Sequence, residues 1–198
     1  MNTENKMINA VSLESGESIA ADMVLVGIGA IPNTQLADSI GIECANGIKT
    51  DRYCRTSIPN ILAVGDCNSS FNALFNKEFR LESVPNALAQ SKVASSSIVG
   101  NDLLNNEMPW FWSDQYDLKL QMAGLSSDYD ECHIIGDIDS AEFIACYGKD
   151  GHLIAVDSIN KPKQFMLFKR ALGNGFQLEM SLIKDKNFQP ESIFSGSN

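Results

Sequence analysis

The stretch "NILAVGDC", residues 60–67, decides how this chain is read. Four apolar residues, Ile61 to Val64, run directly into Gly65 and Asp66. Apolar character that is continuous rather than alternating predicts a short strand buried on both faces, as in α/β sheets. Ligands of open α/β sheets sit outside the carboxyl ends of the strands. A carboxylate there either accepts hydrogen bonds from ligand hydroxyls or ties down the turn that follows.

The same character appears upstream. Residues 7–31 read as a hairpin in which "MINAVSL" and "SIAADMVLVGIGAI" flank the turn signal Glu14-Ser15-Gly16-Glu17. The second arm holds another continuous apolar run, Met23 to Ile28, and predicts a second buried strand. Gly27, Gly29, Pro32 and Asn33 break it. Glycines at a strand end let a ligand meet bare backbone, although such ends are also ordinary turns. "TQLADSIG" then predicts a short helix with Thr34 as its cap and Gly41 as its stop.

Beyond Cys67, residues 67–82 read as a long mixed loop. "VPNALAQSKVASSSIVG" predicts a helix over 84–99, with Pro85 in its first turn, where a missing N–H is harmless, and Gly100 after its end. The start of that helix presents free N–H groups and the positive end of its dipole, which suit an electron-rich partner. "NDLLNNE" is linker-like, and the character changes at Met108. "DLKLQMAG" predicts a half-buried strand with Leu118, Leu120 and Met122 facing inward. "ECHIIGDI", "AEFIACYG" and "HLIAVDSI" add three more strands, the last two joined by a hairpin at Lys149-Asp150-Gly151. "NKPKQFMLFKRALGNG" predicts a helix capped by Asn160, with Phe165, Phe168 and Leu172 as its apolar stripe. The fold class is thus α/β as far as residue 107, then a small antiparallel α+β domain over 108–198.

Composition narrows the function. The chain has 198 residues, is 44% hydrophobic and carries a formal net charge of −10, which disfavours nucleic-acid phosphates as a partner. No apolar run approaches the roughly 20 residues that span a bilayer, and the polar start lacks a signal core, so a cytoplasmic, non-membrane protein is expected. Five cysteines without C-x-x-C spacing predict reduced, mostly packed thiols rather than a disulfide scaffold or a metal site. His133 and His152 are isolated and read as structural or surface residues. In "PWFWSDQYD", 109–117, both tryptophans of the chain fall together, as core, as a domain interface or as a wall for a planar ligand.

In order and spacing, "IAADMVLVGIGAIPNTQLADSIGI", "GIKTDRYCRTSIPNILAVGDC", "RLESVPNALAQ" and "MPWFWSDQYDLKLQMAGL" resemble the carboxyl-terminal half of FAD-dependent ferredoxin and rubredoxin reductases. These belong to the pyridine nucleotide-disulfide oxidoreductase superfamily. The resemblance covers residues 8 to about 172, and the tail 173–198 adds nothing to it. It implies an α/β remnant of the FAD- and NAD(P)-binding domains, followed by the reductase carboxyl-terminal α+β domain. Residues 1–34 would be the last hairpin of the NAD(P) domain, 35–107 the end of the FAD domain, and 108–198 the carboxyl-terminal domain. Gly65 and Asp66 match the part that binds the ribityl-pyrophosphate of FAD. Val84 matches the residue whose amide faces the pyrimidine edge of the flavin, and Trp112 the aromatic presented near it. Gly27 and Gly29 would lie near bound NAD. No catalytic residue and no metal ligand is assigned.

Such reductases pass electrons from NAD(P)H through FAD to a ferredoxin or rubredoxin, which would be the partner, and a homodimer is a further expectation. One departure is large. The family's phosphate sites use G-x-G-x-x-G turns at helix starts, and none occurs in this chain. The expectation is therefore a fragment lacking the amino-terminal half, which holds neither FAD nor NAD(P)H tightly by itself. Two other readings compete. One is a non-catalytic docking or dimerisation module, with Lys161, Lys163, Lys169 and Arg170 meeting an acidic ferredoxin. The other is part of a dithiol-disulfide reductase, whose His–Glu acid–base pair is not visible here.

Overall fold

A computed structural model describes residues 2–4, 7–72 and 74–194. The chain forms two compact units, divided between Ile31 and Pro32.

In the first unit, β1 (Asn2–Glu4), β2 (Met7–Ser12) and β3 (Ser18–Ala20) form an antiparallel sheet in the order β1-β2-β3. The hairpin predicted around residues 14–17 forms, closed by the Leu13 amide on the Glu17 carbonyl at 2.8 Å. The buried strand predicted over Met23–Ile28 does not. Residues 22–33 find no backbone–backbone hydrogen-bond partner among the described residues, and Leu25 and Ile28 are 96% and 92% exposed. A strand is stabilised by its ladder, and among the described residues none pairs with this segment.

The second unit opens with the predicted helix, α1 (Gln35–Ser39), where Thr34 bonds the Asp38 carboxylate at 2.8 Å rather than a backbone amide. A four-stranded sheet follows, made of β4 (Cys44–Ala45), β5 (Gly47–Thr50), β6 (Asn68–Asn72) and β7 (Lys77–Arg80) in that spatial order, with β5 and β6 parallel. The expected strand at 61–64 is reduced to a single antiparallel bridge between Arg55 and Leu62. Ala63 is buried, but Val64 is exposed. The expected loop 67–82 instead contains the β6–β7 hairpin. β6 reads as loop because it is polar. Asn68, Ser69, Ser70 and Asn72 are all buried, and each is hydrogen-bonded to other polar groups.

Helix α2 (Val84–Ile98) forms as predicted, with the Ser83 hydroxyl accepting from the Asn86 amide at 3.3 Å. Five antiparallel strands follow: β8 (Trp110–Gln115), β9 (Leu118–Gly124), β10 (Glu131–Asp137), β11 (Glu142–Lys149) and β12 (His152–Ile159). Their spatial order is β10-β11-β12-β9-β8. The β11–β12 hairpin turns at Asp150-Gly151, between the paired Lys149 and His152. Helix α3 (Pro162–Gly173) buries Phe165, Phe168 and Leu172, as its periodicity predicts. Asn160 does not cap it. Its side-chain oxygen accepts from the Lys119 amide at 2.8 Å and pins β9.

On β9 the core takes the opposite face from the one predicted. Ala123 is buried with Val156 and Phe165 in the main core, whereas Leu118 is exposed and Met122 half-buried. Packing α3 closely on the sheet requires a small residue under the helix, so Ala123 goes inward and the larger side chains go outward. The tail also belongs to this core. α4 (Met180–Ile183) buries both of its ends, and Leu178 and Phe188 join them.

Candidate functional site

Three stretches predicted to meet a ligand lie in the second unit: the Gly65–Asp66 turn, the start of α2 and the Trp110–Trp112 strand. The turn depends on Gly65. Its φ of +82° lies in the left-handed region, which glycine enters without the penalty that a Cβ carries. Two side chains grip the turn. The Gly65 amide donates to Gln90 Oε1 at 2.7 Å. The Arg80 guanidinium donates to the Asp66 carbonyl at 3.1 Å, to Asn46 Oδ1 at 3.3 Å and to the Glu82 carboxylate. The backbone of Asp66 is thereby held, while its carboxylate is exposed and has no partner among the described residues. This is an acceptor left available for ligand hydroxyls.

Helix α2 begins beside this turn. A Cβ built on Gly65 would sit 3.9 Å from Ala87 Cβ, in the first turn of the helix. The Val84 amide, at the first helical position, has no intrahelical acceptor and no other backbone partner among the described residues. Val84 and Trp112 line the same recess, of about 240 Å³, together with Pro85, Leu88, Lys92 and Trp110. A neighbouring apolar recess of about 350 Å³ lies between Leu81–Ser83 and the side chains of Trp110, Phe111 and Met122.

Trp110 lines both recesses, whereas the site residue assigned from the sequence is Trp112 alone. The Trp110 and Trp112 rings stack with centroids 5.2 Å apart and planes at 28°. The Lys169 ammonium also lies 3.6 Å from the Trp110 ring centroid, a cation–π contact. Burial lowers the Lys169 pKa from its ordinary value, partly offset by the Glu107 carboxylate. The tryptophan pair is thus backed by a cation and presents only part of Trp112, 37% exposed, to solvent.

Gly27 and Gly29 belong to the first unit and have nothing within 4 Å of a built Cβ. The four cations proposed for docking are mostly occupied. Lys161 pairs with Glu142 at 2.8 Å, Lys169 packs on Trp110, and Arg170 lies 4.6 Å from the Phe194 ring centroid. All five cysteines are free thiols. Burial pushes the pKa of Cys54 and of Cys146 up to about 12, so neither is a reactive thiolate. Among the described residues no His, Cys, Asp or Glu cluster could hold a metal ion, and no helix is long and apolar enough to cross a membrane.

Gln90 and Arg80 were also missed, and Lys169 was read only as a docking cation. A glutamine amid alanines and serines on a helix that buries one face is the one signal that could have found Gln90.

Two family profiles divide the chain between them. "Pyridine nucleotide-disulphide oxidoreductase" matches residues 1–91, and "Reductase C-terminal" matches 110–193. The second match extends the likeness past residue 172, in keeping with the tail's place in the core. Putidaredoxin reductase of Pseudomonas putida is 36% identical over 100% of this chain and 47% of its own length. Rubredoxin-NAD(+) reductase of the same species is 38% identical over 88% of this chain and 44% of its own length. In a covalent putidaredoxin reductase–putidaredoxin complex, the matching structure is 36% identical with a TM-score of 0.89, covering 98% of this chain and 47% of that one. The chain spans a little under half the length of the relatives it matches. Both profiles are matched in sequence order and the fold is shared at that identity, so the chain is similar along its length to part of the ferredoxin and rubredoxin reductases, and it matches the pyridine nucleotide-disulphide oxidoreductase family over residues 1–91 and the reductase carboxyl-terminal family over 110–193.

Proposed function

We propose that this chain is the carboxyl-terminal portion of a flavoprotein that passes electrons from NAD(P)H through FAD to a ferredoxin or rubredoxin. The observation that carries the reading is the convergence of the unpaired Val84 amide and Trp112 on one recess, in the same unit as the unpartnered Asp66 carboxylate. These groups suit the flavin half of FAD. The Asp66 carboxylate would accept hydrogen bonds from ribityl hydroxyls. The Val84 N–H would donate to the pyrimidine edge, where a helix start favours negative charge. Trp112, backed by Trp110, would exclude water from the ring. When bound, FAD supplies a carrier that accepts a hydride and releases single electrons.

The donor set does not suit the pyrophosphate half, for which the chain has no G-x-G-x-x-G turn. We assign that half, and most of the NAD(P) site, to an amino-terminal portion of the parent reductase. In that reading residues 1–34 end the NAD(P) domain, with Gly27 and Gly29 near the nucleotide. Residues 35–107 end the FAD domain, and 108–198 form the carboxyl-terminal domain. The exposed apolar run from Met23 to Ile31 would then be a strand awaiting its sheet neighbours.

The test has two stages. The purified chain is expected to show no stoichiometric flavin absorbance, and a yellow, fully loaded chain would refute the division. Expressed in frame with its upstream coding sequence, the protein is expected to bind FAD, be bleached by NAD(P)H and be reoxidised by ferredoxin or rubredoxin. A longer protein whose flavin NAD(P)H does not bleach would refute the function.

A further inference from the structure

Gln90 sits on the buried side of α2 among Ala89, Val93 and Ala94, and is 1% exposed. A primary amide so deep is costly unless its donors and acceptor are satisfied. Its Oε1 accepts from the Gly65 amide at 2.7 Å and from Asn68 Nδ2 at 3.3 Å, and its Nε2 donates to the Ser70 hydroxyl at 3.0 Å. Asn68, itself fully buried, extends the network. Its Nδ2 donates to the Ala63 carbonyl at 2.7 Å, and its Oδ1 accepts from the Thr50 hydroxyl at 2.9 Å.

The orientation of the Gln90 amide follows from chemistry. A backbone N–H only donates, so the oxygen must face Gly65 and the nitrogen is left for Ser70. An apolar side chain would serve the packing at position 90 equally well. What only a side-chain oxygen can do there is hold the Gly65 amide. Gln90 is also part of the helix whose first residue is Val84. One side chain therefore joins the carboxylate-bearing turn to the helix that presents the free amide.

We propose that Gln90 is a positioning residue of the flavin site, fixing the Gly65–Asp66 turn in register with the Val84 end of α2. This rests on the flavin reading of Gly65, Asp66 and Val84. The test is amide exchange and FAD titration of the full chain, followed by NMR, with Gln90→Leu and Gln90→Glu. Glutamate keeps an oxygen toward Gly65 and can still bond the Ser70 hydroxyl, so it is the conservative rescue.

In Gln90→Leu the Gly65 amide is expected to exchange at least about tenfold faster, while the Ala63 amide, bonded to the Cys54 carbonyl at 3.1 Å, stays as protected as before. Excess FAD is expected to shift the amide resonances of Gly65, Asp66 and Val84 in the parent chain, less so in Gln90→Leu, and again fully in Gln90→Glu. Unchanged Gly65 exchange in Gln90→Leu overturns the clamp, whatever FAD does. Faster exchange with undiminished FAD shifts overturns the positioning role. An absence of FAD shifts in the parent chain overturns the flavin reading itself, and the proposal with it. If Gln90→Leu does not fold, Gln90→Met is measured in its place.

Discussion

Replacing Gly47 or Gly65 by alanine separates two kinds of glycine requirement at one site. At Gly65 the cost is backbone alone. Its φ is +82°, and the nearest neighbour of an added Cβ is Ala87 Cβ at 3.9 Å, an ordinary contact. A left-handed conformation costs an L-residue roughly 1–2 kcal/mol. At Gly47 the backbone cost recurs, since φ is +115°, and a clash is added. The Cβ would lie 2.8 Å from the Cys67 carbonyl oxygen, 2.9 Å from Arg80 Cδ and 3.2 Å from the Ser69 amide nitrogen. The Cys67 oxygen cannot retreat freely, because it accepts the Ile48 amide at 2.7 Å, beside the parallel β5–β6 pairing. Forcing a methyl into such a place adds roughly 1–3 kcal/mol. Gly47→Ala is therefore expected to cost about 2–5 kcal/mol by both effects, and Gly65→Ala about 1–2 kcal/mol by the backbone effect alone. Urea titration of the purified chain, monitored by tryptophan fluorescence, reads the difference as a larger fall in midpoint at unchanged slope. Equal costs, or a larger cost at Gly65, would refute the reasoning. Gly47→Ala has a second consequence, because moving Arg80 Cδ loosens the guanidinium that holds the Asp66 carbonyl.

Three further outcomes follow from the same geometry. Phe168→Ala empties a fully buried place beneath the five-stranded sheet and is expected to cost about 3–5 kcal/mol in the same titration. With a thiol-specific reagent the native chain is expected to leave Cys54 and Cys146 unlabelled, since both are buried with pKa near 12, while the exposed Cys132 labels first. Lys169 has a lowered folded-state pKa, so the unfolded chain holds that proton more tightly. Its contribution therefore rises as pH climbs through the folded pKa towards the ordinary lysine value. Tryptophan fluorescence is expected to report the deprotonation over that range, and Lys169→Met to remove the step.

What could be read from the sequence was what local chemistry decides. Helix α2 announces itself by Ser83, Pro85 and its small residues, and α3 by the spacing of Phe165, Phe168 and Leu172. The β11–β12 hairpin follows from Asp150-Gly151 between two apolar runs. The failures share one cause: apolar character predicts burial, but it names no partner. Ile61–Val64 and Met23–Ile28 both read as strands, yet a strand is a relation between two segments, and neither finds a ladder among the described residues. The converse failure is β6, which has a ladder but scarcely any apolar residue.

That polar strand explains why the Gly65–Asp66 turn keeps its shape although Ile61–Val64 has no ladder of its own. Asn68 and Ser70 are buried because they join Thr50 and Gln90 in one hydrogen-bonded set, and the Gly65 amide is a member of it. Removing any one member leaves a buried donor or acceptor unsatisfied, which costs about 1–3 kcal/mol, more than the net worth of the bond itself. Asn68→Leu is therefore expected to destabilise the chain despite adding buried apolar surface, because it strands the Thr50 hydroxyl and the Ala63 carbonyl together. Thr50→Val in the Asn68→Leu background is expected to recover part of the loss by removing one of the stranded groups. A double-mutant cycle in urea reads the coupling. Additive costs for the two substitutions would show that the polar strand is held by packing, and that the turn above it does not depend on this network.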